Sequence, residues 1–198
     1  MLSKNSVAAD PLVQLVDWLA EARRARVTDA LEVTLATVDE RGDADARVVV
    51  VREIGDHGLT FYSDTRSRKG VQLATGGRAA MVAYWPGMSR QVRLRGEVMV
   101  LPAAVSEAAF ASRARGARIG YWANHQSQPI ADRGALVAQL EAAVHRFEGR
   151  DVPRPDHFVV WALRPDFVEF WQRGDLHLHD RVAYTRVADR WQTERLQP

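Results

Sequence analysis

Apolar residues recur at every second position from Val92 to Val100, by way of Leu94, Gly96 and Val98, while Gln91, Arg93, Arg95 and Glu97 occupy the positions between. A two-residue period held from Gln91 to Leu101 fits one long strand with a single buried face and does not fit a helix. Shorter runs of the same kind come before it. Glu32–Val38 and Ala46–Val51 flank the turn Asp39-Glu40-Arg41-Gly42 and read as a hairpin; Leu59–Ser63 and Ala79–Trp85 read as two more strands. A short helix is expected at 66–75, closed by Gly76-Gly77, and an N-terminal helix from about 11 to 25, where Asp10-Pro11 precedes Leu12, Leu15, Val16 and Leu19.

The pattern turns helical over 105–148, with Ala-rich segments at 105–114 and 133–147 and an irregular piece bearing Gly, Trp and Gln between them. Pro153 and Pro155 end it, and strands return at His157–Leu163, Phe167–Trp171, Arg181–Tyr184 and Arg190–Arg195. The expected fold is mainly β, a closed antiparallel barrel with peripheral helices, because closure removes exposed sheet edges. All 198 residues read as one domain, made of an N-terminal helix within 1–25, a helical insertion at 105–148 and C-terminal strands at 157–198 that complete the barrel.

Cysteine is absent, so disulfides, thiolate metal sites and thiol nucleophiles are excluded. No apolar run approaches the roughly 18 residues that a membrane helix needs, and the N-terminus lacks a secretory pattern, so a cytoplasmic address and no membrane partner are expected. All but two of the 27 basic residues are Arg, and they alternate with 25 acidic residues along the whole chain. That spread argues against nucleic acid, which selects clustered charge. Neither a Gly-x-Gly-x-x-Gly turn, a phosphate-binding Walker loop nor a Gly-x-Ser-x-Gly elbow is present.

Several polar residues remain that a barrel does not need. Ser67-Arg68-Lys69-Gly70 follows a strand and opens a helix, where backbone N–H groups and two cations favour a phosphate. Arg47 lies inside an apolar strand, at a cost unless something anionic meets it. Gln91 shares a strand face with Arg93 and Arg95, which either form a solvated face or hold acidic partners while Gln91 reaches a ligand ring. His177 and His179 would share a face on an extended segment, but no third ligand lies nearby and no metal site is expected. Phe170-Trp171 just upstream offers a flat wall for an aromatic molecule.

Arg47-Val48-Val49-Val50-Val51, Phe61-Tyr62-Ser63, Ser67-Arg68-Lys69-Gly70, Arg90-Gln91-Val92-Arg93, Phe110-Ala111-Ser112-Arg113, Gln126-Ser127, Phe170-Trp171 and Leu178-His179-Asp180-Arg181 resemble, in order and spacing, the motifs of the pyridoxamine 5'-phosphate oxidase family. The resemblance implies an FMN-binding split barrel that forms a homodimer with flavin at the subunit interface. It implies that Arg47, Arg68 and Lys69 clamp the FMN phosphate, with Val48, Val49, Val50, Tyr62 and Ser63 lining its site. Gln91, Gln126 and Ser127 would hydrogen-bond the flavin, and Trp171 and Arg181 would complete the pocket.

Departures from the family pattern bear on the substrate. Pyridoxamine phosphate oxidases hold the substrate phosphate with a Lys, a Tyr, an Arg and a Ser, and cover its ring with an Arg-x-His pair. The matching positions here are Arg52, Ala109, Arg113 and Ala117, with His177 and His179 as the pair. Losing two hydroxyl bonds to a phosphate, at roughly 1.5–3 kcal/mol each, would weaken that substrate about 10²- to 10⁴-fold without compensation. Arg47-Val48-Val49-Val50-Val51-Arg52-Glu53-Ile54 and the ending Trp191 through Arg195-Leu196-Gln197-Pro198 more closely resemble the phenazine-biosynthesis branch of the family, which implies an enzyme that aromatises reduced phenazine carboxylates by hydride transfer to FMN, with O2 reoxidising the flavin to give hydrogen peroxide. A pyridoxamine 5'-phosphate oxidase is the alternative, and a non-catalytic flavin- or haem-binding barrel is the third. In either enzyme, His179 and His177 are the groups expected to orient the ring or take a proton.

Overall fold

The computed structural model describes residues 2–3 and 5–198. The elements run α1 (Pro11–Arg24), β1 (Glu32–Val38), β2 (Ala44–Val50), β3 (Glu53–Gly55), β4 (Gly58–Asp64), α2 (Arg68–Gly76), β5 (Arg78–Trp85) and β6 (Arg90–Val100). They continue as α3 (Ala103–Ala111), α4 (Arg115–Ala123), α5 (Arg133–Arg146), β7 (Phe158–Gln172), β8 (Asp180–Val187) and β9 (Arg190–Arg195).

The strands form one antiparallel sheet in the order β2-β1-β5-β6-β7-β4-β3, with β8 pairing to β7 and β9 to β8. Closure comes from the chain itself. β2 passes through Val51 and Arg52 directly into β3; the Val51 N–H donates to Leu31 O at 2.9 Å and the Arg52 N–H to Thr60 O at 2.8 Å. The two ends of the sheet are thus one bent strand. Only the outer half of β7, Phe167 to Gln172, pairs with β8, so the β8–β9 ribbon leaves the barrel there.

Leu35, Phe61, Met81, Val92, Leu94, Leu163 and Val168 fill the interior, each an inward position of an alternating strand. α1 closes one opening. Asp10 caps it by accepting the Leu12 N–H, Pro11 takes the first turn where no donor is needed, and Trp18 packs edge-on against Phe170 at 5.0 Å.

Two expectations change. His157–Leu163 and Phe167–Trp171 are one 15-residue strand, β7, because Pro165 sits at a bulge opposite Gly96. A Cβ on Gly96 would lie 1.9 Å from Arg164 O, so only glycine lets the strands approach there. The piece between the two Ala-rich segments contains α4, whose Ile119 and Ala123 are buried with Phe110, Phe147 and Phe158. Gly116 and Gly120 weaken its local helical signal, and tertiary packing supplies what propensity lacks.

Candidate active site

The end of β4 and the start of α2 build the first part of the site. Ser67 caps α2: its Oγ accepts the Gly70 N–H at 3.2 Å and donates to Asp64 O at 2.6 Å. Gly70 passes so close to β4 that a Cβ would fall 2.4 Å from Asp64 O. Within Ser67-Arg68-Lys69-Gly70 the outer two residues dock the helix, and the inner two carry charge out from its N-terminus.

Arg47 reaches this end of α2 from β2. Its guanidinium donates to Leu35 O at 3.2 Å, Thr37 Oγ1 at 2.6 Å and Gln72 Oε1 at 3.2 Å, and it pairs with Asp45 Oδ2 at 2.7 Å. Arg68 Nε lies 3.4 Å from the same Asp45 oxygen. The anion that Arg47 required on sequence grounds is therefore supplied in part by its own strand, and Asp45 was missed although the strand period places it on the Arg47 face. Lys69 Nζ donates to Gln126 Oε1 at 2.8 Å. Burial, and then Arg47, lower the Lys69 ammonium pKa below its ordinary value. Ser127, at positive φ, lines an open groove with Arg68 and Gln72. Val49 is buried, Val50 half-buried and Val48 exposed, so the three valines do not share one face.

Tyr62 connects this cluster to a second cationic patch. The Arg52 and Arg113 guanidiniums lie 5.1 Å and 5.7 Å from its ring centroid. Arg113 Nε is buried and has no hydrogen-bond partner among the described residues. Ala109 packs beside Tyr62, and Ala117 lines a neighbouring cavity with Asp64, Gly120, Tyr121, Asn124 and Gln126. Buried Ser63 shares a 3.4 Å hydrogen bond with Ser67 and faces inward toward the helix cap. Asp64 pairs with Arg66 at 2.8 Å, and His157 Nε2 lies 3.8 Å from the same carboxylate.

The remaining predicted residues lie at the far end of β7. Tyr62 is in register with Val160, whereas Gln91 and Arg181 are in register with Trp171, roughly 35 Å farther along an extended strand. Arg181 Nε donates to Glu169 Oε1 at 2.8 Å, and Arg93 pairs with Glu169 Oε2 at 2.6 Å. Glu169 is 2% exposed; desolvation pushes its pKa up, but the Arg181 and Arg93 hydrogen bonds outweigh this and bring it below its ordinary value. The Gln91 face thus holds the acidic partner that the alternation suggested.

Two further readings need correction. His177 and His179 do not alternate along an extended segment: His177 ends a short 3-10 turn, Asp175–His177, with positive φ at Leu176 and His177. Their rings are nevertheless 5.9 Å apart, and His179 lies 4.9 Å from Trp171. His179 Nδ1 accepts the Gly174 N–H at 3.2 Å, which leaves Nε2 as the ring position that carries the proton in the neutral form. Phe170 is fully buried against Trp18 and Tyr184, so Trp171 alone can supply the aromatic wall.

The donor set suits FMN. Among the described residues Lys69 Nζ donates to a neutral partner, Gln126, and Arg113 Nε, left without one, marks a second place where an anion would be met. Arg47, Arg68 and Lys69 would hold the phosphate at the α2 N-terminus.

Residues 19–147 match the family model described as pyridoxamine 5'-phosphate oxidase, and residues 158–198 match the pyridoxine 5'-phosphate oxidase C-terminal dimerisation region. The pyridoxine/pyridoxamine 5'-phosphate oxidase of Cyanothece sp. is 41% identical over 197 residues, covering 100% of this chain and 92% of the relative. That of Burkholderia lata is 41% identical, covering 100% and 93%. The crystal structure of PhzG from Burkholderia lata 383 in complex with tetrahydrophenazine-1-carboxylic acid superposes with a TM-score of 0.93 at 32% identity, covering 100% of this chain and 98% of that one.

Proposed function

The chain belongs to the pyridoxamine 5'-phosphate oxidase family, as an FMN-dependent oxidase, and we propose that its substrate is pyridoxine or pyridoxamine 5'-phosphate. The observation that carries this reading is the pair of guanidiniums, Arg52 and Arg113, converging on Tyr62 with a buried Nε left without a partner. Such a patch suits an anionic group on the substrate, a phosphate or a carboxylate. The full-length relatives, which are oxidases of these phosphates, support the alternative raised by the sequence over its phenazine reading. They also set aside a non-catalytic barrel.

FMN, when bound, supplies the two-electron relay between substrate and oxygen. Oxidising the substrate's primary alcohol or amine carbon to an aldehyde removes two electrons and two protons, which leave on O2 as hydrogen peroxide; the amine also takes up water and releases ammonia. The chain's own residues position and discharge the substrate. Arg52 and Arg113 bind the phosphate, Trp171 offers a face to the ring, and His179 Nε2 is placed to hold or pass a proton, with His177 beside it.

The phosphate patch and the Trp171–Arg181–His179 patch lie apart on one chain, so a complete site needs a second copy that brings its far end of β7 to the first copy's α2. The match of residues 158–198 to a dimerisation region supports a homodimer with FMN between subunits.

A second reading has its own support. Ala109 and Ala117 remove two hydroxyls and widen the pocket, and the PhzG structure that superposes so closely holds a reduced phenazine carboxylate. Arg52 and Arg113 pair a carboxylate as readily as a phosphate. Anaerobic titration of the flavin-loaded protein separates the two. Bleaching of the flavin absorbance by pyridoxamine 5'-phosphate, with no response to a tetrahydrophenazine carboxylate, is expected; the reverse order would establish the second reading.

A further inference from the structure

Asp45 stands two residues before Arg47 on β2, on the same strand face. One oxygen, Oδ2, lies 2.7 Å from Arg47 Nη2 and 3.4 Å from Arg68 Nε. Two of the three cations assigned to the FMN phosphate are therefore already bridged by a carboxylate of the same chain. The third, Lys69, turns to the neutral Gln126. A phosphate monoester carries nearly two negative charges at neutral pH, so it and the Asp45 carboxylate compete for the same guanidiniums.

The two partners are held very differently. Arg47 also donates to Leu35 O, Thr37 Oγ1 and Gln72 Oε1, three neutral acceptors that keep it in place when a carboxylate leaves. Asp45 has a half-buried side chain, 33% exposed, on β2, which pairs with β1 on one side only, so it can swing into solvent without breaking the ladder. Desolvation raises the Asp45 pKa, but Arg47, the Ala46 N–H and Arg68 together outweigh it and keep the pKa below its ordinary value, so the group is charged at neutral pH.

We infer that Asp45 is a placeholder anion: its carboxylate occupies the position between Arg47 and Arg68 until the FMN phosphate displaces it, and it thereby sets how tightly this chain holds its cofactor. The inference rests on the FMN reading. Riboflavin, which lacks the phosphate, has no reason to displace Asp45.

Flavin-fluorescence quenching on flavin-stripped protein tests this with FMN and riboflavin side by side. Asp45→Asn is expected to tighten FMN about tenfold and leave riboflavin unchanged. Asp45→Ser, which removes the charge with a different shape, is expected to do the same. Unchanged or weaker FMN binding in both variants, while the unaltered chain still prefers FMN to riboflavin, overturns the placeholder and leaves the cofactor assignment intact. An unaltered chain that binds FMN no better than riboflavin overturns both.

Discussion

Glu169, the acid of the outer half of β7, holds both Arg93 and Arg181 on one nearly inaccessible carboxylate. Removing its charge leaves two guanidiniums facing a neutral group. Glu169→Gln is expected to cost about 2–3 kcal/mol, less than for a fully enclosed pair because Arg93 and Arg181 reach solvent, and to lower Tm by about 4–10 °C. The pH dependence has a definite sign. Since the folded-state pKa lies below the ordinary value, the stabilisation is present above pH ~4.3 and is lost as pH falls through the folded pKa. Urea unfolding at neutral and acidic pH should therefore show the two proteins converging in acid. At the substrate patch, Ala109→Tyr with Ala117→Ser restores two hydroxyls, one beside Tyr62 and one in the neighbouring cavity, and the KM for pyridoxamine 5'-phosphate is expected to fall at least about tenfold in steady-state assays. A rise in KM would mean that the phosphate does not sit there.

At the scale of elements, α2 decides whether the cationic cluster exists. Ser67 and Gly70 fasten the helix to the end of β4, while Arg68 and Lys69 project from its first turn. Gly70→Ala places a methyl carbon 2.4 Å from Asp64 O and 2.6 Å from Thr65 O, backbone atoms that cannot rotate away. The helix must shift, with an expected loss of about 2 kcal/mol in unfolding free energy and about a tenfold weaker FMN dissociation constant by fluorescence titration. Normal flavin affinity in a destabilised protein would separate the helix position from the phosphate clamp. The cap and the cations were legible in the sequence as Ser67-Arg68-Lys69-Gly70, since a capping side chain and a glycine announce a helix start. Asp45 and Gln72 were not singled out, because acid and amide residues on exposed-looking strands and helices carry no local signature of the partner they meet. α4 escaped for the opposite reason: its two glycines argue against a helix locally, and the aromatic residues that stabilise it arrive from α3, the end of α5 and β7.

At the scale of the whole molecule, the separation between the α2 patch and the Trp171–Arg181 patch makes the proposed two-subunit site testable. Mixing chains that carry Lys69→Ala with chains that carry Arg181→Ala is expected to restore one working flavin site per hybrid dimer, although each variant alone binds flavin weakly. Flavin content of the purified hybrid measures this, and no recovery would mean that both patches act within one chain. Most of the strands and their inward faces, the N-terminal helix cap and the identity of the charged residues followed from the amino-acid order alone, though not the short β3 or the continuity of β7, because two-residue and 3.6-residue periods and capping side chains are local physics. Tertiary structure decided the rest: that β2 continues into β3 and closes the barrel, that Pro165 bends β7 without ending it, and which arginines are matched by Asp45 and Glu169 and which are left waiting at Tyr62. Those outcomes depend on groups far apart in sequence coming within a few ångströms, and long-range Coulomb pairing and close backbone approach leave no periodic trace in the chain that carries them.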